Sequence, residues 1–450
     1  MTKQKKTYGC SECDYKSIKW LGHCPDCDRW NTFIEISPIH TNIAYLSAKD
    51  PDSVAMQPLV EIQEVVKERM HTHISEWDRV MGGGIMPSSF IMLTGDPGIG
   101  KSTLLLQVAH RLAHTYTVYY FSTEESLQQI VQRARRLGCF DERLMCSDQS
   151  YVESIIATAD KERPDILIID SLQNCYMGDT QSIPGSINQL REITFRLMRL
   201  AKECSITVIV SGHITKEGLV AGPKTLEHMV DAVFYLQAED CWQTRVLRAV
   251  KNRFGTTNEV GFFHMHEHGL QEEPNINKHL LGDHMHVPGS VLVSVMEGSR
   301  PLLLELQALT IESKLGISQR VISGVDHKQV VLIAAILQKY LLIKLNMHDI
   351  FFKVGGGVKI KGSSTDLGIA LALLSSYFQQ ALPDKSIALG EISLTGAINP
   401  VNHSSVLIKE AYNFGIEHCI VSKNQKLEKI PGTTARRFSS VYELLNLFSE

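Results

Sequence analysis

At 450 residues the chain is too long for one ordinary domain and is expected to form two or three. Its 44% hydrophobic and 21% charged content excludes a disordered chain. A formal net charge of -4 excludes nucleic-acid binding by overall basicity, so any such surface must be a local patch. No apolar run approaches the roughly 18–20 residues of a membrane span. No apolar segment follows the basic opening "MTKQKKTYGC", so a cytoplasmic protein without a secretory leader is expected.

The first element is a knot of cysteines. Of the ten in the chain, four lie within the first 27 residues, in "CSECDYKSIKWLGHCPDC". Cys10, Cys13, Cys24 and Cys27 follow the pattern C-x2-C-x10-C-x2-C. Each C-x2-C turn offers two thiolates to one tetrahedral ion, so the spacing predicts a structural Zn2+ site with no open coordination position. A segment this small has almost no core, and the metal is expected to hold it together. Trp20 and Trp30 flank the second pair and are expected to pack over it.

The next signal is "MLTGDPGIGKST". A buried strand, "SFIML", leads into G-x4-G-K-[ST], and an apolar-striped helix, "STLLLQVAHRLAH", follows. This reads as a phosphate-binding loop: Gly95, Asp96, Pro97, Gly98, Ile99 and Gly100, with backbone N–H groups from all but the proline, and the helix start at Lys101, Ser102 and Thr103 are expected to surround the nucleotide. Lys101 is expected on the β- and γ-phosphates of ATP and Ser102 on Mg2+. "VYYFS" reads as a strand leading to Glu124 and Glu125. Glu124 is placed to orient the attacking water, and Glu125 reads as a carboxylate favoured by a helix dipole. "PDILIIDS" reads as a central parallel strand with Asp170 at its C-terminal end, on the Mg2+ shell. "ITVIVSGHITKEG" is a further buried strand, and His213 and Thr215 at its end are expected near the γ-phosphate.

These pieces, in this order, resemble the core of RecA-type ATPases. Together with the cysteine knot, "PGSVLVSVMEGSRPLLLELQAL" and the hook "KNRFG", they make the whole chain similar to the RadA (Sms) family of bacterial DNA repair proteins. The resemblance implies ATP at subunit interfaces of a ring. It also implies that Lys251 and Arg253 reach a neighbour's γ-phosphate, as arginine fingers do. Direct contact with DNA phosphate is the competing role for the pair, and "TRVLRAV" before them alternates as a strand should. In such a ring, residues 180–189 would line the channel, with Arg191 and Arg196 adding charge there; a plain surface loop fits them nearly as well.

Near residue 285 a polar junction, "NINKHLLGDHMHVPGS", precedes a second α/β pattern. His279, His284 and His286 within it read as linker histidines without metal geometry. "GGGVKIKGSSTDLGIALALLSS" and "ALGEISLTGAINPVNHSSVLIKEAYNFG" resemble the proteolytic domain of Lon, which uses a Ser–Lys dyad. By that match Asp366 stands at the nucleophile position and Ser405 at the lysine position. Ser364 lies two residues early, and Lys409 about one helical turn late. The domain therefore reads as a Lon-like scaffold without peptidase activity. Lys353, Lys359 and Lys361 offer it a basic strip.

The expected fold is α/β: a zinc-ribbon-like knot (1–45), a RecA-like P-loop ATPase domain (60–275) and a Lon-protease-like α+β domain (285–450). The resemblance implies a DNA-dependent ATPase of homologous recombination, hexameric, acting on single-stranded or branched DNA with RecA and promoting branch migration. Lys101, Glu124, Asp170, Lys251 and Arg253 would be catalytic, with ATP, Mg2+ and Zn2+ as cofactors and no membrane partner. The rivals are an ATP-dependent Lon-like protease and a nucleotide-switched DNA-binding adaptor.

Overall fold

The computed structural model describes residues 7–10, 13, 15–17, 19–36, 58, 68–178, 185–213, 226–238, 244–281, 286–313, 318–428 and 431–448. The chain divides into two compact units, Met1–Lys67 and Glu68–Glu450. The first unit holds a three-stranded antiparallel sheet of β1 (Thr7–Cys10), β2 (Lys16–Ser17) and β3 (Phe33–Ile36), in the order β2-β1-β3. Among the described residues of this unit, Phe33 is the buried aromatic one.

The second unit opens with α1 (Ser75–Val80) and then alternates strands with helices. Its larger sheet contains β4 (Phe90–Gly95), β5 (Val118–Ser122), β6 (Leu144–Ser147), β7 (Ile166–Asp170) and β8 (Thr207–His213). It continues with β9 (Ala232–Ala238), β10 (Thr244–Asn252), β11 (Val260–His266) and β12 (Gly269–Glu272). The order is β12-β11-β10-β9-β4-β8-β7-β5-β6. From β9 to β6 the neighbours run parallel, and β10, β11 and β12 are antiparallel additions. Parallel strands are covered on both faces, which is why β4 and β7 are buried throughout rather than alternating. One face packs against α1, α2 (Lys101–Ala113) and α3 (Leu127–Leu137), with Trp77, Leu105 and Ala134 in the core. The other packs against α4 (Val152–Glu162) and α5 (Ile187–Glu203) through Ile155, Ile193 and Leu197.

A short helix, α6 (Ile276–Leu281), leads to a seven-stranded mixed sheet. It is built from β13 (Ser290–Glu297), β14 (Arg300–Glu312), β15 (Arg320–Ser323), β16 (His348–Val354) and β17 (Ser386–Leu389). After a separate pair, β18 (Glu391–Ile392) and β19 (Ile398–Asn399), it is completed by β20 (His418–Ser422) and β21 (Thr434–Phe438). The order is β15-β16-β14-β13-β17-β20-β21. On one face lie α7 (His327–Leu341) and α8 (Asp366–Phe378), and on the other α9 (Ser404–Asn413). Val246, Val260 and Phe262 of the ATPase strands share an apolar cluster with α6 and this sheet, so the two cores are continuous.

The β13–β14 hairpin tip locks into the ATPase strands. Arg300 Nη1 donates to Glu76 Oε2 at 2.7 Å and Nη2 to the Pro274 carbonyl at 2.6 Å, while its guanidinium lies 5.0 Å from the centre of the Phe262 ring. Arg248 pairs with Glu297, and Ser299 donates to Glu259 at 2.6 Å. Among the described residues no helix is long and apolar enough to cross a membrane.

Candidate functional site

Parallel pairing aligns the strand ends. Gly95 is opposite both His213 and Leu236, and Ser122 is opposite Asp170, so the loops after β4, β5, β7, β8 and β9 leave one edge of the sheet. That edge is where open α/β sheets bind ligands. The β4–α2 loop sits there. Gly95, Gly98 and Gly100 have φ of 154°, 75° and 113°, and a Cβ on Gly95 would lie 2.3 Å from the Leu236 carbonyl. A Cβ on Gly100 would meet Met265 Cε at 2.7 Å, whereas one on Gly98 meets nothing within 4 Å. The loop is pinned from behind and open above Gly98, as a phosphate cradle must be.

Lys101 is 5% exposed, and its Nζ donates to the Gly95 and Asp96 carbonyls at 2.9 Å each. Burial lowers its pKa, against the pull of Asp170, Glu124 and Asp96. The charge is held folded over the loop by carbonyls that a phosphate oxygen can replace. Ser102 and Thr103 open α2 beside it.

Asp170 ends β7 and is 5% exposed. Its Oδ2 accepts from Tyr120 at 2.8 Å and its Oδ1 from Ser211 at 2.5 Å. Tyr120, fully buried, is kept neutral by desolvation first and the adjacent carboxylate second. Tyr120 and Ser211 escaped the sequence reading; both are polar residues near the ends of the strands flanking β7, which is the signal that marks them. Glu124 is exposed two residues past β5 and accepts from Ser171 at 2.5 Å, beside Asp170. Glu125 departs from its expected role. Helix α3 starts at Leu127 under a Ser126–Gln129 capping box, and Glu125 instead pairs with Arg133. Burial raises its pKa and Arg133 opposes that. Arg245 was also missed: from β10 it donates to the Ile99 carbonyl at 3.2 Å and steadies the loop.

The hook lies elsewhere. Asn252 is opposite Ala232, which is opposite Ile91, four positions before Gly95. At about 3.3 Å per residue that is roughly 13 Å down the strands, at the opposite edge. A bulge between Ala249 and Lys251 leaves Val250 unpaired and re-aims Lys251. Lys251 Nζ donates to the Glu227 and Val230 carbonyls at 2.7 Å each, and burial, then Arg253, lowers its pKa. Arg253 is 57% exposed and pairs with Asp231 at 3.2 Å. Asp231 in turn accepts from the Phe90 N–H at the start of β4. Phe254 and Gly255 close the hook onto the triple-glycine turn. Arg69 donates to the Phe254 carbonyl at 2.6 Å, and a Cβ on Gly82 would lie 3.2 Å from that carbonyl. Neither cation reaches the phosphate loop of its own chain.

Other expectations fare unevenly. Thr215 and residues 180–184 lie outside the described residues, as do His284 and the side chain of His213. Gln189, placed in the channel loop by the sequence reading, is buried on α5. Arg196 pairs with Glu192 at 3.1 Å and Glu153 at 3.7 Å, so its charge is compensated. His279 belongs to α6 rather than a linker and pairs with Glu273 at 2.8 Å. His286 Nε2 meets the Leu382 carbonyl. Asp366 is buried, accepting from Gln329 at 2.7 Å and the Ile392 N–H at 3.2 Å, and burial raises its pKa. Ser405 is half-buried in α9, and Lys409, Lys353, Lys359 and Lys361 are exposed.

In the N-terminal unit Cys10 and Cys27 sulfurs are 3.6 Å apart and Cys13 and Cys24 sulfurs 3.5 Å, far beyond a disulfide. All four ligand atoms lie within 4.8 Å of one another. Tetrahedral Zn–S bonds of about 2.3 Å place sulfurs roughly 3.8 Å apart, so the four thiols fit Zn2+. Trp30 does not seal the knot: it is 73% exposed and its ring lies 4.8 Å from that of His23. Trp20 Nε1 donates to the Phe33 carbonyl at 2.9 Å.

Comparison with known proteins accounts for this assembly. Residues 8–35 match a rubredoxin metal binding domain, residues 56–218 an AAA domain, and residues 332–425 the ChlI subunit of Mg-chelatase. Among solved structures, the flagellar accessory protein FlaH from Methanocaldococcus jannaschii aligns with a TM-score of 0.37 at 16% identity, covering 46% of this chain and 98% of that one. The RadB recombinase aligns with a TM-score of 0.37 at 22% identity, covering 45% and 99%. The DNA repair protein RadA of Halalkalibacterium halodurans is 40% identical over 438 residues, 96% of each chain. That of Streptococcus pyogenes serotype M1 is 40% identical over 450 residues, 99% of each. That of Aquifex aeolicus is 38% identical over 447 residues, 99% of this chain and 100% of its own. With ATP and Mg2+ as cofactors of the P-loop domain and Zn2+ of the four-cysteine ribbon, the chain is an ATP hydrolase that belongs to the RadA family of DNA repair proteins.

Proposed function

We propose that this protein is a DNA-dependent ATPase of homologous recombination that works as a homohexameric ring with ATP between subunits. It acts on single-stranded or branched DNA, promotes branch migration of joints made by RecA, and resides in the cytoplasm. The observation that carries the reading is the hook. Lys251 and Arg253 sit at the sheet edge opposite the phosphate loop, where they cannot serve their own ATP but can face a neighbour's. Both are held in place by carbonyls and by Asp231, so little ordering is left to do on docking.

In this reading the backbone of residues 95–100 cradles the phosphates and Lys101 leaves its carbonyl partners for them. Glu124 orients the attacking water. Ser102 and Asp170 would hold Mg2+, which when bound neutralises charge on the β- and γ-phosphates. Tyr120 and Ser211 each donate to one oxygen of Asp170 and hold its carboxylate aimed at the strand ends. We assign 1–45 to the ribbon, 60–275 to the ATPase and 285–450 to a Lon-like domain without peptidase activity. That last assignment is supported by Asp366, whose two oxygens are occupied in structural hydrogen bonds at the nucleophile position.

The test is steady-state ATP hydrolysis with and without single-stranded DNA, for wild type, Lys251→Ala and Arg253→Ala. The expected result is stimulation of wild type by DNA, and variants that bind DNA without being stimulated. Mixing Arg253→Ala with Lys101→Ala should restore part of the activity, because one supplies the loop and the other the finger. Hydrolysis by wild type that ignores DNA would end the motor reading in favour of a nucleotide-switched adaptor.

A further inference from the structure

Away from the phosphate edge, three side chains with metal-binding chemistry meet at the seam between the ATPase sheet and α6. His264 lies on β11 and Glu273 directly follows β12, its N–H donating to the Phe262 carbonyl at 2.8 Å. That bond brings the chain back beside β11. Helix α6 begins three residues later and returns His279 to the same place. The ligand atoms of the three all lie within 4.8 Å of one another. The two imidazole rings are 5.2 Å apart between centres, and His279 Nε2 is 2.8 Å from Glu273 Oε2.

A simple ion pair between His279 and Glu273 accounts for two of these residues. It leaves the third unexplained, because His264 Nε2 is buried and has no hydrogen-bond partner among the described residues. Leaving a polar atom buried and unmatched costs about 1–3 kcal/mol. A bound cation removes that cost by taking the nitrogen lone pair.

We propose that His264, Glu273 and His279 form a second metal site, distinct from the cysteine ribbon, that takes Zn2+. Two imidazoles and a carboxylate suit Zn2+, whereas Mg2+ and Ca2+ favour oxygen donors throughout. Donors on one tetrahedral ion with bonds of about 2.1 Å sit roughly 3.4 Å apart, so atoms already within 4.8 Å of one another need shift by no more than about 1.4 Å. His279, 49% exposed, has room to swing in. Glu273 is steadied by its second oxygen, which accepts from the Asn275 N–H at 3.2 Å. The ion would tie β11 to α6, whose Ile276 and Leu280 enter the C-terminal apolar cluster and whose Asn277 binds Pro301 and Leu303 of β14. Occupancy therefore stiffens the joint between the ATPase and Lon-like sheets.

The test uses the full chain with its ribbon already loaded, so that metal analysis starts at one equivalent. Zn2+ is then titrated calorimetrically, and Co2+ is used as an optical probe because nitrogen and oxygen ligands give it visible bands without the intense thiolate charge transfer. Wild type should take up a second equivalent with no thiolate signature. His264→Ala and His279→Ala should each weaken that step at least about tenfold while the ribbon equivalent stays bound. His279 is at the surface, so its variant remains informative if His264→Ala folds poorly. A wild-type chain that stops at one equivalent at micromolar free Zn2+ overturns the proposal, as does a second equivalent that both variants retain unchanged.

Discussion

Replacing Arg300 by alanine removes the cation that joins the β13–β14 hairpin to Glu76. Glu76 has no exposed surface, and Arg300 is 12% exposed at its side chain, so solvent screens the pair little. Without Arg300, Glu76 keeps the Phe262 N–H at 2.9 Å and a longer approach from Arg79 at 3.5 Å. Removing one partner of a buried pair costs about 3–5 kcal/mol, because the other charge stays buried. The cost depends on pH. Burial already raises the pKa of Glu76, and Arg300 is the first influence opposing it, so the variant's carboxyl rises further. The unfolded carboxyl titrates near about 4.3, below the folded one. Between the two the native state binds more protons than the unfolded state, so stability falls as pH rises through that window. Arg300→Ala should therefore be least destabilised near pH ~5 and most near pH ~8. Urea unfolding of the full chain at both values measures this. Adding Glu76→Gln should recover part of the loss and flatten its pH dependence, since a neutral amide still accepts from Phe262. A loss below about 1 kcal/mol, equal at both pH values, would refute the buried-charge argument.

Three further outcomes follow from single contacts. Tyr120→Phe keeps the ring packed but removes the 2.8 Å hydrogen bond to Asp170, worth about 1.5–3 kcal/mol to a charged acceptor. The turnover number should fall about tenfold and the Mg2+ requirement rise, with nucleotide binding intact; unchanged Mg2+ dependence in the hydrolysis assay counts against Asp170 as an ion ligand. Gly82→Ala puts a side chain at φ 88°, 3.2 Å from the Phe254 carbonyl, and should displace the hook. DNA-stimulated hydrolysis should drop while a fluorescent ATP analogue still binds. Cys24→Ser removes a fully buried ligand, and elemental analysis should show the ribbon's Zn2+ gone while ATP binding persists, because the ATPase core is built from its own residues.

Features whose chemistry is local were legible along the chain alone. A C-x2-C turn and a G-x4-G-K-S loop work through residues a few positions apart, so Cys10 to Cys27 and Gly95 to Thr103 could be read without a fold. Buried parallel strands were equally plain: apolar runs ending in Ser122 and Asp170 mark β5 and β7, and their ends meet as the pattern implies. Residues joined by pairing across the sheet were not legible. Tyr120 and Ser211 are 50 and 41 positions from the Asp170 they hold, and Arg300 is 224 from Glu76. His264, Glu273 and His279 converge because β12 and α6 double back on β11. The hook shows the division most sharply. "KNRFG" reads as a basic turn at a strand end, and its family resemblance suggests a reach to ATP. The register of β10 on β9 and of β9 on β4 is what puts it at the far edge from its own phosphate loop. Which groups are present, and their local conformation, belong to the order of residues. Which of them meet depends on strand order, and strand order is settled by the cooperative burial of apolar faces that lie far apart along the chain.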